Sequence, residues 1–169
     1  MGGIGSRIGW AGFAALLPGL CLLFGCARRE PVVNLYLDAV ALRELGQDRL
    51  AIEKLNEVIK ADPKFVLAYS ELGKTSRKLG DHERALAAFK QAVKLDAWSF
   101  EYQFNLAQSY EDMKKLPQAA DAYARAVELD PNSFDALAKA ADCSVKAGQY
   151  ARAQAFCQQA GEGRSQKLL

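Results

Sequence analysis

The chain has 169 residues, half of them apolar, and a formal net charge of +2 at neutral pH. This length suits a single domain with a continuous core behind an N-terminal segment, and the near-balance of charge gives no global field for nucleic acid. His82 is the only histidine. No cysteine pair, glycine loop or nucleophile elbow has the spacing that metal binding or catalysis needs. Composition therefore favours a binding function over an enzymatic one.

The first 25 residues have the layout of an export signal. They contain no acidic residue and one basic side chain, Arg7, followed by the uncharged apolar run 8–25. The run ends in the sequence LFGC at residues 23–26, which resembles the lipobox of bacterial lipoproteins. The resemblance implies cleavage before Cys26 and acylation of that cysteine. Three alternatives stay open: an uncleaved membrane anchor, a cut after Ala27 that releases a soluble exported protein, and no targeting role.

Residues 26–31 form a short tether in front of the first repeated unit. Fully extended, it spans about 20 Å. A terminus with several acyl chains is held firmly at a membrane, whereas one chain binds marginally. Acylated Cys26 thus predicts a lipid-anchored protein whose repeats lie near the bilayer and face the periplasm. By resemblance, Ala27 in place of the retention aspartate of enterobacterial lipoproteins favours the outer membrane over the inner one.

From residue 32 onwards the chain repeats itself every 34 residues. The units are 32–65, 66–99, 100–133 and 134–160, followed by a tail at 161–169. One marker of the period is a pair of residues four apart, found at Ala51 and Leu55, Ala85 and Phe89, Ala119 and Tyr123, and Ala153 and Cys157. Two further columns are Ala39, Gly73, Ala107 and Ala141, and Val58, Ala92, Ala126 and Ala160. So strict a period predicts a stacked repeat protein, because one unit alone cannot bury both of its faces.

Each unit is predicted to form two antiparallel helices. Apolar residues recur at helical spacing and are interrupted once in the middle of the unit and once at its end. The interruptions in the middle of units fall at Gly46, Gly80, Gly148 and Pro117. Between units they fall at Asp62-Pro63 and Asp130-Pro131, where the residue before proline resists the helical conformation.

This pattern resembles the tetratricopeptide repeat, a helix-turn-helix unit of 34 residues. The matching residues are Tyr69, Leu72, Gly73, Ala85, Phe89 and Ala92 in the second unit, and Leu106, Ala107, Tyr110, Ala119, Tyr123, Ala126 and Pro131 in the third. The chain departs from the pattern at Asp38, Ala97, Gln103 and Cys157. The resemblance implies an all-α fold, an α-solenoid of four stacked helix-turn-helix repeats in a right-handed superhelix.

By the same resemblance, the first helix of each unit lines a concave groove that binds a peptide or a partner helix. The predicted partner-binding residues are Tyr36, Val40, Leu67, Ser70, Lys74, Arg77, Phe104, Gln108 and Glu111. Family members that clamp a chaperone carboxylate need polar groups where Tyr36 and Val40 stand, so that activity is not implied.

Two features of this groove have competing interpretations. Arg77 and Lys78 stand one period before Glu111 and Asp112, so either the opposite charges pair across adjacent helices or Lys74 and Arg77 anchor an acidic ligand. Tyr36 and Phe104 either form apolar patches in the groove or pack against their own neighbours. Trp98, in a turn between units, is predicted to be a local packing residue.

The last unit carries two further expectations. Cys143 and Cys157 are offset by about 9 Å along the last helical pair, which is too far for a disulfide without backbone movement. Ala153, Phe156, Cys157 and Ala160 are predicted to leave a small apolar face, because a repeat array normally ends in a polar cap. This face is hypothesised to meet another subunit or a partner.

The sequence as a whole predicts a non-catalytic scaffold with no cofactor, metal or small-molecule substrate. Its expected partners are envelope proteins or peptides, bound through the groove, and the membrane, bound through Cys26. By resemblance, such lipoproteins serve outer-membrane, pilus or secretion, and cell-wall assemblies. The alternative is an inner-membrane adaptor whose N-terminal anchor stays uncleaved.

Overall fold

The computed structural model describes residues 29–166, and the regular structure in that range is helical throughout. The helices, in chain order, are α1 (Arg29–Glu44), α2 (Asp48–Ala61), α3 (Val66–Lys78), α4 (His82–Leu95), α5 (Phe100–Asp112), α6 (Leu116–Leu129), α7 (Phe134–Lys146) and α8 (Tyr150–Gln166). Each helix packs on the next one, so four helical hairpins stack in chain order. Apart from the outer ends of α1 and α8, each hairpin lies within one of the four predicted units. The all-α solenoid is confirmed.

The outermost helices extend further than the predicted units. Helix α1 begins at Arg29, inside the predicted tether. Helix α8 continues to Gln166 rather than ending at Ala160, so most of the predicted tail is helical. Cys26 and the predicted signal segment 1–25 lie outside the described residues.

The turns within the hairpins share one backbone conformation. Gly46, Gly80 and Gly148 have φ values of 74°, 77° and 75°, in the left-handed region that favours glycine. In the third hairpin Lys114 takes the equivalent place with φ 59°, and Pro117 lies in the first turn of α6 as the sequence predicts. The turn geometry is therefore common to all four repeats although glycine occupies only three of them.

The turns between hairpins are each organised by an aspartate. Asp62, Asp96 and Asp130 end the second helix of a repeat, and each donates its backbone N–H to the carbonyl oxygen four residues back. Each carboxylate also accepts the backbone N–H two residues further on, at 2.9–3.1 Å. Because Ala97 follows Asp96 where proline follows the other two, the aspartate is the feature that the three turns share.

The core consists of the repeated columns that the sequence predicts. Leu55, Phe89 and Tyr123 are fully buried, and Val58, Ala92 and Ala126 form a second buried column. Gly73 lies under the ring of Phe89, so a Cβ built on Gly73 would come within 2.6–2.8 Å of three ring atoms. The large side chain on one helix of a hairpin thus requires the small residue on the other.

Two departures from the repeat pattern have structural reasons. Asp38 is exposed, because α1 has no described repeat before it, whereas Leu72 and Leu106 at the same position are buried. Gln103 is buried, and its Nε2 donates to the carbonyl oxygen of Ala97 at 3.2 Å. Its amide is therefore satisfied by the neighbouring turn.

The alternation of helices gives the stack two edges. The beginning of α1 and the turns 62–65, 96–99 and 130–133 lie on one edge, which we call the tether edge. The turns within hairpins lie on the opposite edge, which we call the far edge. Helices of 13–16 residues separate the two edges by about 20 Å.

Candidate functional site

The first helices of successive repeats form a continuous layer. Helix α1 contacts α3, and α3 contacts α5, although neither pair is consecutive in the chain. In a helical solenoid this layer lines the concave surface. The predicted groove residues lie on these helices.

Ion pairs connect these helices along the layer. Arg43 of α1 pairs with Glu71 of α3, and Lys74 of α3 reaches Glu71 at 3.2 Å and Glu101 of α5 at 2.5 Å. Arg77 Nε lies 2.5 Å from Asp112 Oδ2. The side chains involved are 12–55% exposed, so water screens the pairs only in part.

Of the two interpretations of the charged groove residues, the structure shows the pairing of opposite charges. Arg77 contacts Asp112 of the following repeat and donates to Gln108. Lys78 behaves differently from the expectation, since it pairs with Asp48 of α2 at 2.8 Å instead of with an acid of α5. The cations that would anchor an acidic ligand are therefore already neutralised.

Lys74 illustrates the electrostatic balance of the layer. Burial lowers the pKa of its ammonium group, while the carboxylates of Glu101 and Glu71 raise it, and the pKa is raised overall. Lys74 is thus charged at neutral pH and held between two helices by its carboxylate partners.

The two groove aromatics pack against neighbouring rings. Tyr36 lies 5.2 Å from Phe65, between ring centroids. Phe104 lies 5.6 Å from Phe100 and 5.4 Å from Tyr123. Both Tyr36 and Phe104 stay half-exposed, so each ring supports the fold and presents part of its surface to the groove.

The other predicted groove residues divide by exposure. Leu67 is exposed, and Val40, Lys74, Arg77, Gln108 and Glu111 are half-buried. Ser70 is only 2% exposed, and its hydroxyl has no hydrogen-bond partner. Ser70 therefore does not line the groove as expected, because its small side chain lies within the packed helical layer.

Trp98 is another residue that the sequence interpretation placed wrongly. It is 85% exposed rather than packed, and it occupies the turn position held by Lys64 and Asn132 in the equivalent turns. Those two polar residues were the signal that this position faces solvent. An exposed indole on the tether edge is thus an additional surface feature.

Among the described residues, Glu111, Asp142 and Cys143 come together in a way that could hold a metal ion, with ligand atoms within 4.8 Å of one another. Glu111 accepts a hydrogen bond from Tyr123 Oη at 2.8 Å and pairs with Lys139 at 3.3 Å. Burial, and then Glu111, raise the pKa of the Cys143 thiol to about 11. The thiol is therefore protonated at neutral pH, and Glu111 and Asp142 each pair with a lysine, Lys139 and Lys146 respectively. These contacts make the cluster part of the packing between repeats.

Two further features are the state of the two cysteines and the apolarity of the helices. Cys143 is buried and Cys157 exposed, and neither forms a disulfide, as the offset predicts. Within residues 29–166, no helix combines the length and apolarity needed to cross a membrane.

Fold and surface together define a helical-repeat protein of the tetratricopeptide class. Two models described as "Tetratricopeptide repeat" match residues 36–101 and 112–166, which together are more than two thirds of the chain. The chain belongs to the tetratricopeptide-repeat family.

The chain is similar to a protein of known sequence and to several solved structures. The chain is 33% identical over 75 residues to the small glutamine-rich tetratricopeptide repeat-containing protein 2 of Mycosarcoma maydis, a match that covers 44% of the chain and 21% of that relative. It resembles the crystal structure of MamA with a TM-score of 0.73, 21% identity, and coverage of 81% of this chain and 80% of MamA. The first repeat domain of Spaghetti (RPAP3), bound to the HSP90 peptide SRMEEVD, gives a TM-score of 0.65 at 20% identity, covering 69% of this chain and 93% of that one. At such identities the solved structures establish the fold alone.

Proposed function

We propose that this protein is an envelope-anchored lipoprotein whose repeats act as a non-catalytic protein-binding scaffold in the periplasm. The observation that carries the proposal is the placement of the lipobox-like sequence LFGC directly before the repeats, with Cys26 three residues ahead of helix α1. Outer-membrane, pilus or secretion, and cell-wall complexes are the assemblies it would serve.

The geometry of the tether edge supports membrane proximity. Cys26 precedes Arg29 by three positions in the sequence, a distance of at most about 11 Å. An acylated Cys26 would therefore hold the tether edge close to the lipid. Trp98 lies exposed on that same edge, and tryptophan favours the membrane–water interface.

We further propose that the groove binds an apolar stretch of a partner peptide. Peptide binding by a related fold is seen in the RPAP3 complex. In this chain Tyr36, Val40 and Leu67 offer partly exposed apolar surface, and a cavity of about 350 Å³ between Val33, Phe65 and Leu67 adjoins them. Because Lys74 and Arg77 are engaged by Glu101 and Asp112, an acidic peptide would have to displace those carboxylates.

Mass spectrometry of the N-terminal peptide from membrane-fractionated protein tests the anchor. We expect the peptide to begin at an acylated Cys26, and Cys26→Ser to abolish both acylation and processing. Soluble protein beginning after Ala27 would contradict the proposal.

An uncleaved inner-membrane anchor is the second candidate, because the apolar run 8–25 is nearly long enough to cross a bilayer. In that case the same experiment would find an intact terminus, Met1 or Gly2, in the membrane fraction. The side of the membrane on which the repeats lie would then decide their partners.

Tryptophan fluorescence tests the orientation. The chain contains two tryptophans, Trp10 and Trp98, so cleavage before Cys26 leaves Trp98 as the only emitter. In vesicles with brominated lipids we expect its emission to be quenched. A Tyr150→Trp reporter on the far edge, in a Trp98→Lys background, should stay unquenched; equal quenching of the two would refute this orientation.

A further inference from the structure

In the last described repeat, the residues of the packing columns become partly exposed. The column of Leu55, Phe89 and Tyr123 is at most 1% exposed, yet its fourth member, Cys157, is exposed. The column of Val58, Ala92 and Ala126 is fully buried, yet Ala160 is only half-buried. The surface formed by α7 and α8, which we call the terminal face, therefore repeats the chemistry of three buried interfaces, and none of the described helices packs over it.

The cover at the three buried interfaces is always the first helix of the following repeat. Ala68 and Leu72 of α3 share a core cluster with Leu55 and Val58 of α2. Ala136, Ala140 and Cys143 of α7 likewise share a cluster with Tyr123 of α6. Each covering helix contributes a stripe at positions i, i+4 and i+7, a spacing that falls on one side of a helix. The stripes are Ala68, Leu72 and Thr75; Tyr102, Leu106 and Ser109; and Ala136, Ala140 and Cys143, all buried.

At the terminal face the place of such a helix is a cavity. Its volume is about 450 Å³, and Leu137, Ala141, Phe156, Cys157 and Ala160 are among its walls. The lining residues are all apolar side chains or glycine. An apolar surface of this shape, continuous with an established interface, is suited to the apolar side of a helix.

We propose that the terminal face binds an amphipathic helix of a partner protein in the position that α3, α5 and α7 occupy on the preceding repeats. The partner helix carries small or medium apolar residues at i, i+4 and i+7. This surface is separate from the groove and does not depend on the membrane anchor.

A second copy of this chain is a poorer occupant when stacked head to tail. Its helix α1 would present Asn34, Asp38 and Ala41 as the stripe, and all three are exposed in the structure. Asp38 would then be buried against the apolar column ending at Cys157, where an unpaired carboxylate is strongly unfavourable.

A peptide with the sequence of residues 133–148, which contains α7, is a suitable probe because it carries one of the three natural stripes. Labelled with a fluorophore and with Cys143→Ser to prevent side reactions, it is titrated with the detergent-extracted full chain. We expect saturable binding by anisotropy. Cys157→Glu should weaken binding at least tenfold, about 1.4 kcal/mol, whereas Ala155→Glu, on the exposed side of α8 where Glu53 and Asp121 stand in other repeats, should leave it unchanged.

The native thiol gives a second readout that needs no variant. Cys157 is exposed and Cys143 buried, so alkylation at Cys157, followed by mass spectrometry, reports on cover of the face. Saturating peptide should slow this alkylation severalfold. Absence of saturable binding up to about 1 mM, or binding that Cys157→Glu does not weaken, would overturn the proposal. So would a concentration-dependent dimer in sedimentation that Cys157→Glu abolishes, because a second copy would then cover the face.

Discussion

The two ends of the stack differ in chemistry although they belong to copies of one unit. At the N-terminal end Asn34, Asp38 and Ala41 occupy the stripe that faces a preceding repeat elsewhere, and all three are exposed. At the C-terminal end the exposed surface includes Phe156 and Cys157 and is apolar. The stripe of the first described repeat is therefore more polar than the stripes of the interior repeats, whereas the last described repeat keeps the surface of an interior repeat.

The largest expected effect comes from exchanging the residues that distinguish the N-terminal end from the interior. Leu72→Asp places a charge in a buried interface and should lower the free energy of unfolding by about 5 kcal/mol. Asp38→Leu should change it by less than about 0.5 kcal/mol, because Asp38 faces solvent. Urea titration measures both, and a large effect of Asp38→Leu would mean that the two positions are not structurally different.

The packing column of the second helices also differs between the interior and the terminal face. Phe89→Ala empties a fully buried site under Gly73 and should cost about 4 kcal/mol. Cys157→Ala at the terminal face should cost less than about 0.5 kcal/mol in the isolated protein. A comparable loss in both variants, measured by urea unfolding, would show that the terminal face is covered in solution.

Most of the fold follows from the sequence because the period is strict. The 34-residue columns predicted which residues are buried at Leu55, Phe89 and Tyr123, and the glycines and the Asp-Pro pairs predicted the turns. The helix limits at Arg29 and Gln166 differed from expectation. These limits lie outside the repeated units, so the 34-residue pattern does not predict them.

The candidate site was less predictable because it depends on distances between helices. Spacing alone places Ser70 on the same side as Lys74, yet a short side chain in a close-packed layer is buried while a long one reaches the surface. Likewise Lys78 is next to Arg77 in sequence but pairs with Asp48 of the preceding repeat. The burial of Ser70 and the partner of Lys78 depend on the distances to neighbouring helices. The spacing of residues along the sequence does not give these distances.

A pH effect of intermediate size should arise at the third interface, where Cys143 of the last repeat is buried. Its pKa is raised from the ordinary 9.0 to about 11. Between these values the unfolded chain has lost the proton and the folded chain retains it, so stability falls as the pH rises and is unaffected below pH 9. The full difference is about 2–3 kcal/mol.

Urea titrations under reducing conditions at several pH values between 7.5 and 11 measure this effect. Cys143→Ala should unfold with a shallower decline in alkali, whatever its stability at neutral pH, and Cys157→Ala should keep the decline of the parent protein. An identical decline in all three proteins would assign the effect to other groups.

The smallest expected difference concerns the ion pairs of the interior and of the free end. Arg77 and Asp112 join two helices and are 33% and 25% exposed, whereas Asp142 and Lys146 pair within α7 and are 47% and 51% exposed. Double-mutant cycles with Arg77→Met and Asp112→Asn should give a coupling of up to about 1 kcal/mol, and cycles with Asp142→Asn and Lys146→Met about 0.3 kcal/mol. Salt at about 0.5 M should reduce the second coupling more completely, because screening acts most strongly on exposed charges. Equal couplings would mean that contact with a neighbouring repeat adds nothing to the pair, and the charged residues of the inner layer would then be free to exchange partners with a bound peptide.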